Sequence, residues 1–362
     1  MPTHRPARPP RAPLAALLAL PLLLAACTGT EEGSASLRLV LLTDGGTVLR
    51  AVTPSGSSGG NVTVTEDARE AVTGGVNVTT PTGGQRVTLT RTDGTESRAA
   101  DLSDPRAYPD PPYTPRCTVQ AAQNAARDRL LILSDCGGVQ NLAMYQNAAL
   151  QWTAALPAAL QPAPGSDTPP TRVAVQGDLG VVARARLGGG SEVLRAAPAS
   201  TGDTVAEVSQ PVAAPAIRDL ANYGGQLIAA TDTGIQKLGS SGVPDSTTTL
   251  SAFGNVRYDR LWSGSGNQNL LAAWRDNTLS GASSEPLRLW NGQSAAAAAT
   301  IENVAGLRDL TVAPDGYLYA LSAGSLRRHD TLLGLQNGNW RSATLPTAIN
   351  DARSVTWVVP TP

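Results

Sequence analysis

An all-β chain folded as a β-propeller of about seven four-stranded blades is the architecture this sequence predicts, on three observations. Short apolar or alternating runs recur along the whole chain, at 37–42, 87–91, 130–133, 180–185, 227–231, 270–274, 317–321 and 355–359. Turn dipeptides separate them, among them Asp44-Gly45, Asp93-Gly94, Asn291-Gly292 and Asp315-Gly316, whose second residue supplies the positive φ of a tight hairpin. The runs return at a mean spacing of about 45 residues, the length of a four-stranded unit that cannot bury both faces alone and stacks on its neighbours. Eight runs enclose seven intervals, hence about seven blades; six or eight also fit the spacing. A pair of β-sandwiches split near residues 165–172 is the competing all-β arrangement.

Composition agrees with this reading. The 362 residues include 36 Gly and 27 Pro, and 41% are apolar, which excludes a disordered chain and a coiled coil. Arg5, Arg8 and Arg11 precede an apolar run from Leu14 to Leu24 that Pro21 interrupts. That run is too short for a bilayer core, which takes about 20 residues, and its basic, apolar, small-residue order is that of a secretory signal. The junction Leu24-Ala25-Ala26-Cys27 resembles the lipobox of bacterial lipoproteins. This resemblance implies cleavage before Cys27, a diacylglycerol on its thiol, further acylation of the freed amine, and palmitate-type chains as membrane anchor. Each buried CH₂ contributes about 0.8 kcal/mol, so several chains hold where one does not. The chain then divides into a signal peptide (1–26), a lipidated tether (27–36) and a propeller (37–362). Its expected location is the extracytoplasmic cell envelope. Thr28 in place of Asp after the cysteine, by the same resemblance, favours the outer membrane or its periplasmic face.

Lipidation of Cys27 leaves Cys117 and Cys136, an even pair in an exported chain, where oxidation favours a disulfide. Two buried free thiols are the alternative. Such a bridge closes a loop of about 20 residues, worth about 3 kcal/mol on the chain-entropy account. Two thiols without a neighbouring histidine cannot complete a tetrahedral zinc site, so no metal is expected. Removing residues 1–26 takes three arginines and no acid from 28 Lys+Arg and 29 Asp+Glu, leaving a formal net charge of −4. That balance argues against a nucleic-acid partner held by phosphate neutralisation. Lys237 is the sole lysine, a skew that fits the Ala, Gly, Pro and Arg excess of a GC-rich genome.

Along the chain, no stretch after the signal keeps a helical period; the nearest, Cys117 to Ala126, is short and polar. The alanine run 295–299 reads as a loop or strand edge. One internal repeat is explicit. Ile217-Arg218-Asp219-Leu220 and Leu307-Arg308-Asp309-Leu310 lie two periods apart, with glycine following in register at Gly234 and Gly324. The segment from Leu310 to Ala320, with its apolar strand, Pro314-Asp315-Gly316 turn and aromatic strand, resembles the repeat of NHL-type and two-component-regulator-type propellers. The likeness covers about 20 residues, with the other blades alike by spacing alone, and implies a fold, not an activity. The run from Arg353 to Val359 is expected to close the ring by joining the N-terminal strands.

Catalytic constellations are scarce. His329 is the one histidine past the signal and reads as a polar strand end; Ser263-Gly264-Ser265-Gly266-Asn267 reads as a hairpin turn, since it lacks the third glycine of a dinucleotide loop. No catalytic residue, cofactor or metal is assigned. Two features carry candidate binding residues. Arg-Asp pairs recur near expected strand starts (Arg127-Asp128, Arg218-Asp219, Arg308-Asp309, and more loosely Arg257 with Asp259), and matching blade positions would set a ring of charge at one channel mouth. Of these, Arg218, Asp219, Arg308 and Asp309 are the candidates, with inter-blade ion pairing as the structural alternative. The proline-rich loop from Asp104 to Pro115 offers Tyr108 and Tyr113 on a stiff frame, for recognition or as a plain connector. The expected function is a membrane-anchored binding or scaffold module with a protein or small-molecule envelope partner. A propeller enzyme, hydrolase or lyase, acting on carbohydrate or ester through channel carboxylates is the second reading, and a purely structural envelope protein the third.

Overall fold

The computed structural model describes residues 37–56, 62–159, 167–264, 269–276, 286–293 and 296–361. The signal peptide, Cys27 and the tether lie outside the described residues. Every described strand belongs to one of seven antiparallel sheets. Blade 1 takes β1 (Arg38–Thr43), β2 (Val48–Ser55) and β3 (Thr63–Ala71). Blade 2 holds β4 (Gly75–Thr79), β5 (Arg86–Arg91), β6 (Thr95–Ala99) and the short β7 (Arg106–Ala107). Blade 3 holds β8 (Thr118–Gln123), β9 (Arg129–Cys136), β10 (Val139–Gln146) and β11 (Ala149–Ala155). In blade 4, β12 (Arg172–Gln176), β13 (Leu179–Ala185) and β14 (Ser191–Ala197) are followed by β15 (Glu207–Val208) and β16 (Val212–Ala214), which both pair with β14. Blade 5 has three strands, β17 (Ile217–Tyr223), β18 (Gln226–Thr231) and β19 (Gly234–Lys237). Blade 6 comprises β20 (Arg260–Ser263), β21 (Leu271–Trp274), β22 (Pro286–Trp290) and β23 (Ala299–Asn303). Blade 7 comprises β24 (Leu307–Val312), β25 (Tyr317–Ser322), β26 (Leu326–Asp330) and β27 (Ala343–Thr344). Finally β28 (Ser354–Val358) returns to blade 1, where Leu39 faces Trp357 and Leu42 faces Ser354, giving the order β28-β1-β2-β3. The ring is closed by pairing the two ends of the described chain, as the run 353–359 implies.

The core is distributed rather than central. Seven apolar clusters are buried, one at each seam between adjacent blades. Strand β1 shows why. Leu39 and Leu41 point into the seam with blade 7, beside Tyr319 and Leu321, whereas Val40 and Leu42 point into the seam with blade 2, beside Val78 and Leu89. Successive side chains of a strand face opposite ways, so a strand covered on both faces reads as a continuous apolar run, which is what made these runs visible. Each blade depends on its neighbours, and a pair of sandwiches is excluded.

Cys117 and Cys136 form a disulfide, with Cα atoms 5.2 Å apart, between the start of β8 and the end of β9. The stretch from Cys117 to Ala126, the nearest thing to a helix by sequence, is mostly this strand. The one described α-helix, α1 (Thr331–Asn337), has no counterpart in the sequence reading. The Asp330 carboxylate accepts its Leu333 N–H at 2.9 Å, and Gly338 (φ 76°) ends it in the left-handed conformation. A helix this short shows no period to read. Gly334, a poor helix former, is required because a Cβ there would come within 2.1 Å of the Trp340 ring.

Candidate functional site: the channel mouth

Seven innermost strands, β28, β4, β8, β12, β17, β20 and β24, surround the axis. A cavity of about 620 Å³ opens where they begin and is lined from six of them and by Arg353, which stands just ahead of β28. Four of these strands enter with the same irregularity. A bulge shifts the register between Gly75 and Asn77, Thr118 and Gln120, Ile217 and Asp219, and Leu307 and Asp309. A bulge re-aims side chains where pairing is interrupted, and Asn77, Gln120, Asp219 and Asp309 all line the mouth.

Asp219 and Asp309 are placed alike. Asp219 Oδ1 accepts the N–H of Leu220 at 3.0 Å, and its Oδ2 accepts that of Leu261, on the next innermost strand, at 2.8 Å. Asp309 Oδ1 accepts the N–H of Leu310 at 2.9 Å, and its Oδ2 accepts that of Val355, again on the next innermost strand, at 2.9 Å. Each carboxylate staples its blade to the following one. Arg172 and Arg260 add charge to Asp219, their Nε atoms at 3.0 and 3.4 Å. Burial pulls the Arg172 guanidinium below its ordinary range, with Asp219 opposing. Trp262 Nε1 and Ser354 Oγ donate to Asp309 at 2.9 and 2.6 Å.

The arginines of the two pairs differ. Arg218 is 3% exposed and clasps Asp232 in both directions, Nε to Oδ1 at 2.8 Å and a terminal nitrogen to Oδ2 at 3.0 Å, while also reaching Asp167. Arg257 joins this network through Asp167 and Asp259, each at 2.7 Å. The hydrogen bond from Arg257, helped by the charge of Arg218, holds the Asp167 carboxyl below the usual carboxylate range. Arg308, by contrast, is exposed, and its side chain pairs with no described residue. Arg353 donates to the Gly75 carbonyl at 3.1 Å and has no carboxylate within ion-pair distance among the described residues. A second cavity of about 640 Å³ adjoins the mouth, sharing Arg172, Arg260 and Arg308 and extending to Arg218 and Arg257.

Other sequence candidates are used elsewhere. Arg127 and Asp128 do not open an innermost strand; they sit in the β8–β9 turn, so the third Arg-Asp pair is not part of this ring. Tyr108 is buried in the seam between blades 2 and 3, its ring 5.4 Å from that of Tyr145 and its hydroxyl 2.9 Å from Thr88 Oγ1. Tyr113 packs on the same cluster, and burial pushes its hydroxyl up to about 12. The loop's aromatics therefore fill a seam. His329 is fully buried in β26, with Nδ1 2.7 Å from Ser342 Oγ and Nε2 3.1 Å from Glu302, and lines neither cavity. Residues 265–268 of the Ser-Gly turn lie outside the described residues. No group of three or more metal-ligating side chains occurs among the described residues.

Arg172, Arg260 and Arg353 escaped the sequence reading although a signal was present. Arg172, Arg218, Arg260, Arg308 and Arg353 recur at the blade period, and three of them lack the Asp that drew attention to the pairs.

Fold and mouth together define a seven-bladed β-propeller with an arginine-lined axial cavity. Neither a family model nor a curated protein matches the sequence. Solved structures do. A candidate 6-phosphogluconolactonase from Bacteroides uniformis matches with TM-score 0.60 at 12% identity, over 90% of this chain and 100% of that one. AztD of Citrobacter koseri matches with TM-score 0.54 at 10% identity, over 90% and 99%. The β-propeller domain of Myceliophteria thermophila Cps50 (Swd1) matches with TM-score 0.52 at 9% identity, over 78% and 89%. At these identities the likeness shows the fold alone.

Proposed function

We propose that this chain is an exported, lipid-anchored binding module of the cell envelope, and that it presents its channel mouth to an anionic small molecule or to an acidic group of a partner. The observation that carries the reading is the arginine set at the mouth. Arg308 and Arg353 have no carboxylate partner among the described residues and border a cavity of about 620 Å³. A planar guanidinium with free N–H groups is suited to carboxylate or phosphate. Asp219 and Asp309, the carboxylates an enzyme reading would use, have their oxygens taken up by the inter-blade staples. Nothing at the mouth favours proton transfer over binding. Anchoring follows from the signal and Cys27.

The test is native mass spectrometry of the protein released from its membranes. An anionic molecule is expected to travel with the wild-type chain and to be lost from the Arg308→Ala/Arg353→Ala variant, whose melting should stay unchanged. Equal retention by both sinks the binding assignment. Incorporation of labelled fatty acid, abolished by Cys27→Ser, tests the anchor separately.

A further inference from the structure

The far end of the same channel holds a third, smaller cavity of about 230 Å³, lined from six of the innermost strands and from the β8–β9 turn. Its one cation is Arg127, held at φ 58°. The guanidinium lies over the Trp357 ring, 4.4 Å from its centroid, and makes no hydrogen bond or ion pair with a described residue. The neighbouring acid is engaged elsewhere, since Asp128 pairs with Arg129 at 2.9 Å and accepts Asn124 Nδ2 at 2.7 Å. Asp309, the one carboxylate lining this cavity, has both oxygens filled by four donors. Residues 265–268, which follow the cavity-lining Gly264, contain no acid. Desolvation, with nothing opposing it, pulls Arg127 down to about 10.

Stacking on Trp357 uses the face of the guanidinium and leaves its in-plane N–H donors unmatched. A partly desolvated charge without a counter-ion is costly, and proteins compensate it by pairing. Thr79 also lines this cavity, and its buried Oγ1 has no hydrogen-bond partner among the described residues. We propose that this end of the channel is an oxyanion site in which Arg127 and Thr79 hold a carboxylate or phosphate group. The volume suits a free inorganic ion or the acidic end of a larger molecule. The site adjoins the mouth cavity, sharing Asn77, Leu220, Trp262 and Asp309 with it, but neither Arg308 nor Arg353 lines it.

Calorimetric titration of the full-length chain, first with sodium phosphate and then with sodium acetate at constant ionic strength, tests it. Saturable binding of at least one probe is expected, and preference between them tells phosphate from carboxylate. Arg127→Gln is expected to weaken that binding by about tenfold or more, the worth of a charge-assisted hydrogen bond. Thr79→Val should weaken it less while leaving the unliganded melting temperature unchanged, because it removes a hydroxyl that bonds to no described residue. The titration is repeated in the Arg308→Ala/Arg353→Ala background, where binding that persists and is lost on adding Arg127→Gln belongs to this site and not to the mouth. If Arg127→Gln does not fold, Arg127→Lys with Thr79→Val carries the test, retaining charge but losing affinity. Absence of saturable binding to both probes, or unaltered binding in folded Arg127→Gln, overturns the proposal.

Discussion

The two copies of the Arg-Asp pair, Arg218-Asp219 in blade 5 and Arg308-Asp309 in blade 7, begin from the same four-residue pattern and end in different surroundings. Their aspartates do one job twice, each linking its own strand to the next innermost strand through backbone N–H groups. Their arginines do not. Arg218 is buried among Asp232 and Asp167, whereas Arg308 stands exposed, its side chain with no partner among the described residues. A repeat therefore preserves what the fold demands of every copy and releases the rest. Side chains fixed by the backbone of the neighbouring blade are structural, and those facing the mouth are free to meet something else.

Removing a staple is the harshest way to break this comparison. Asp219→Ala leaves Arg172, Arg260 and the Leu261 N–H without their acceptor, and is expected to cost about 3–5 kcal/mol, as when one member of a buried pair is lost. Asp309→Ala should cost less, since the donors it orphans are neutral. Urea unfolding of both variants measures this, and a loss below 1 kcal/mol for Asp219→Ala contradicts the staple role. The sequence left inter-blade ion pairing open for these residues, and Asp219 has it with Arg172 and Arg260.

Blade 3 shows another solution at the same position. Gln120 stands at the bulge where blades 5 and 7 have Asp, and beside it the Cys117–Cys136 disulfide pins the start of β8 to β9. Reduction is expected to lower stability by up to about 3 kcal/mol, less to the extent that the blade already restrains the loop. Thiol titration of the denatured, unreduced chain should find neither Cys117 nor Cys136 free.

How much of this was legible follows from what a sequence can encode. Seven of the eight runs are the second strand of their sheet, β1, β5, β9, β13, β18, β21 and β25, which is buried on both faces and so mostly apolar. The eighth is β28, an innermost strand, and for that reason the last interval came out short. The outer strands were invisible because one of their faces is wet: β3 alternates between exposed and half-buried residues along its length. The mouth was half legible. Adjacent Arg and Asp catch the eye, yet the arginines at 172, 260 and 353 mattered as much, and only the three-dimensional ring gathers them. Nor could spacing reveal that Tyr108 and Tyr113 would fill a seam.

Exchanging the two arginines' roles sharpens the comparison. Arg218→Ala should lose about 2 kcal/mol, because it removes several charge-assisted hydrogen bonds at a buried site. Arg308→Ala should stay within about 0.5 kcal/mol of the wild type, as surface substitutions do. Parallel thermal melts read both. Equal losses would mean that the two positions are structurally equivalent after all, and that Arg308 is not held in reserve for a ligand.

The smallest effect concerns Asp167, the outer partner that Arg218 and Arg257 share. Its carboxyl is held below the ordinary range, first by the hydrogen bond from Arg257 and then by the charges of both arginines. A carboxyl with a depressed folded-state pKa contributes stability that is present above its unfolded value, near 3.9, and is lost as pH falls through the folded value. Its side chain is 69% exposed, so solvent screening limits the contribution to below about 1 kcal/mol. Asp167→Asn is therefore expected to be slightly less stable than the wild type near neutrality, and the gap should close below about pH 4 as the wild-type carboxyl protonates. Urea unfolding at pH 6 and pH 3 compares the two. No gap at either pH would show that Asp167 acts through its backbone carbonyl, which Arg218 also contacts at 2.8 Å and which Asn retains, and not through its charge.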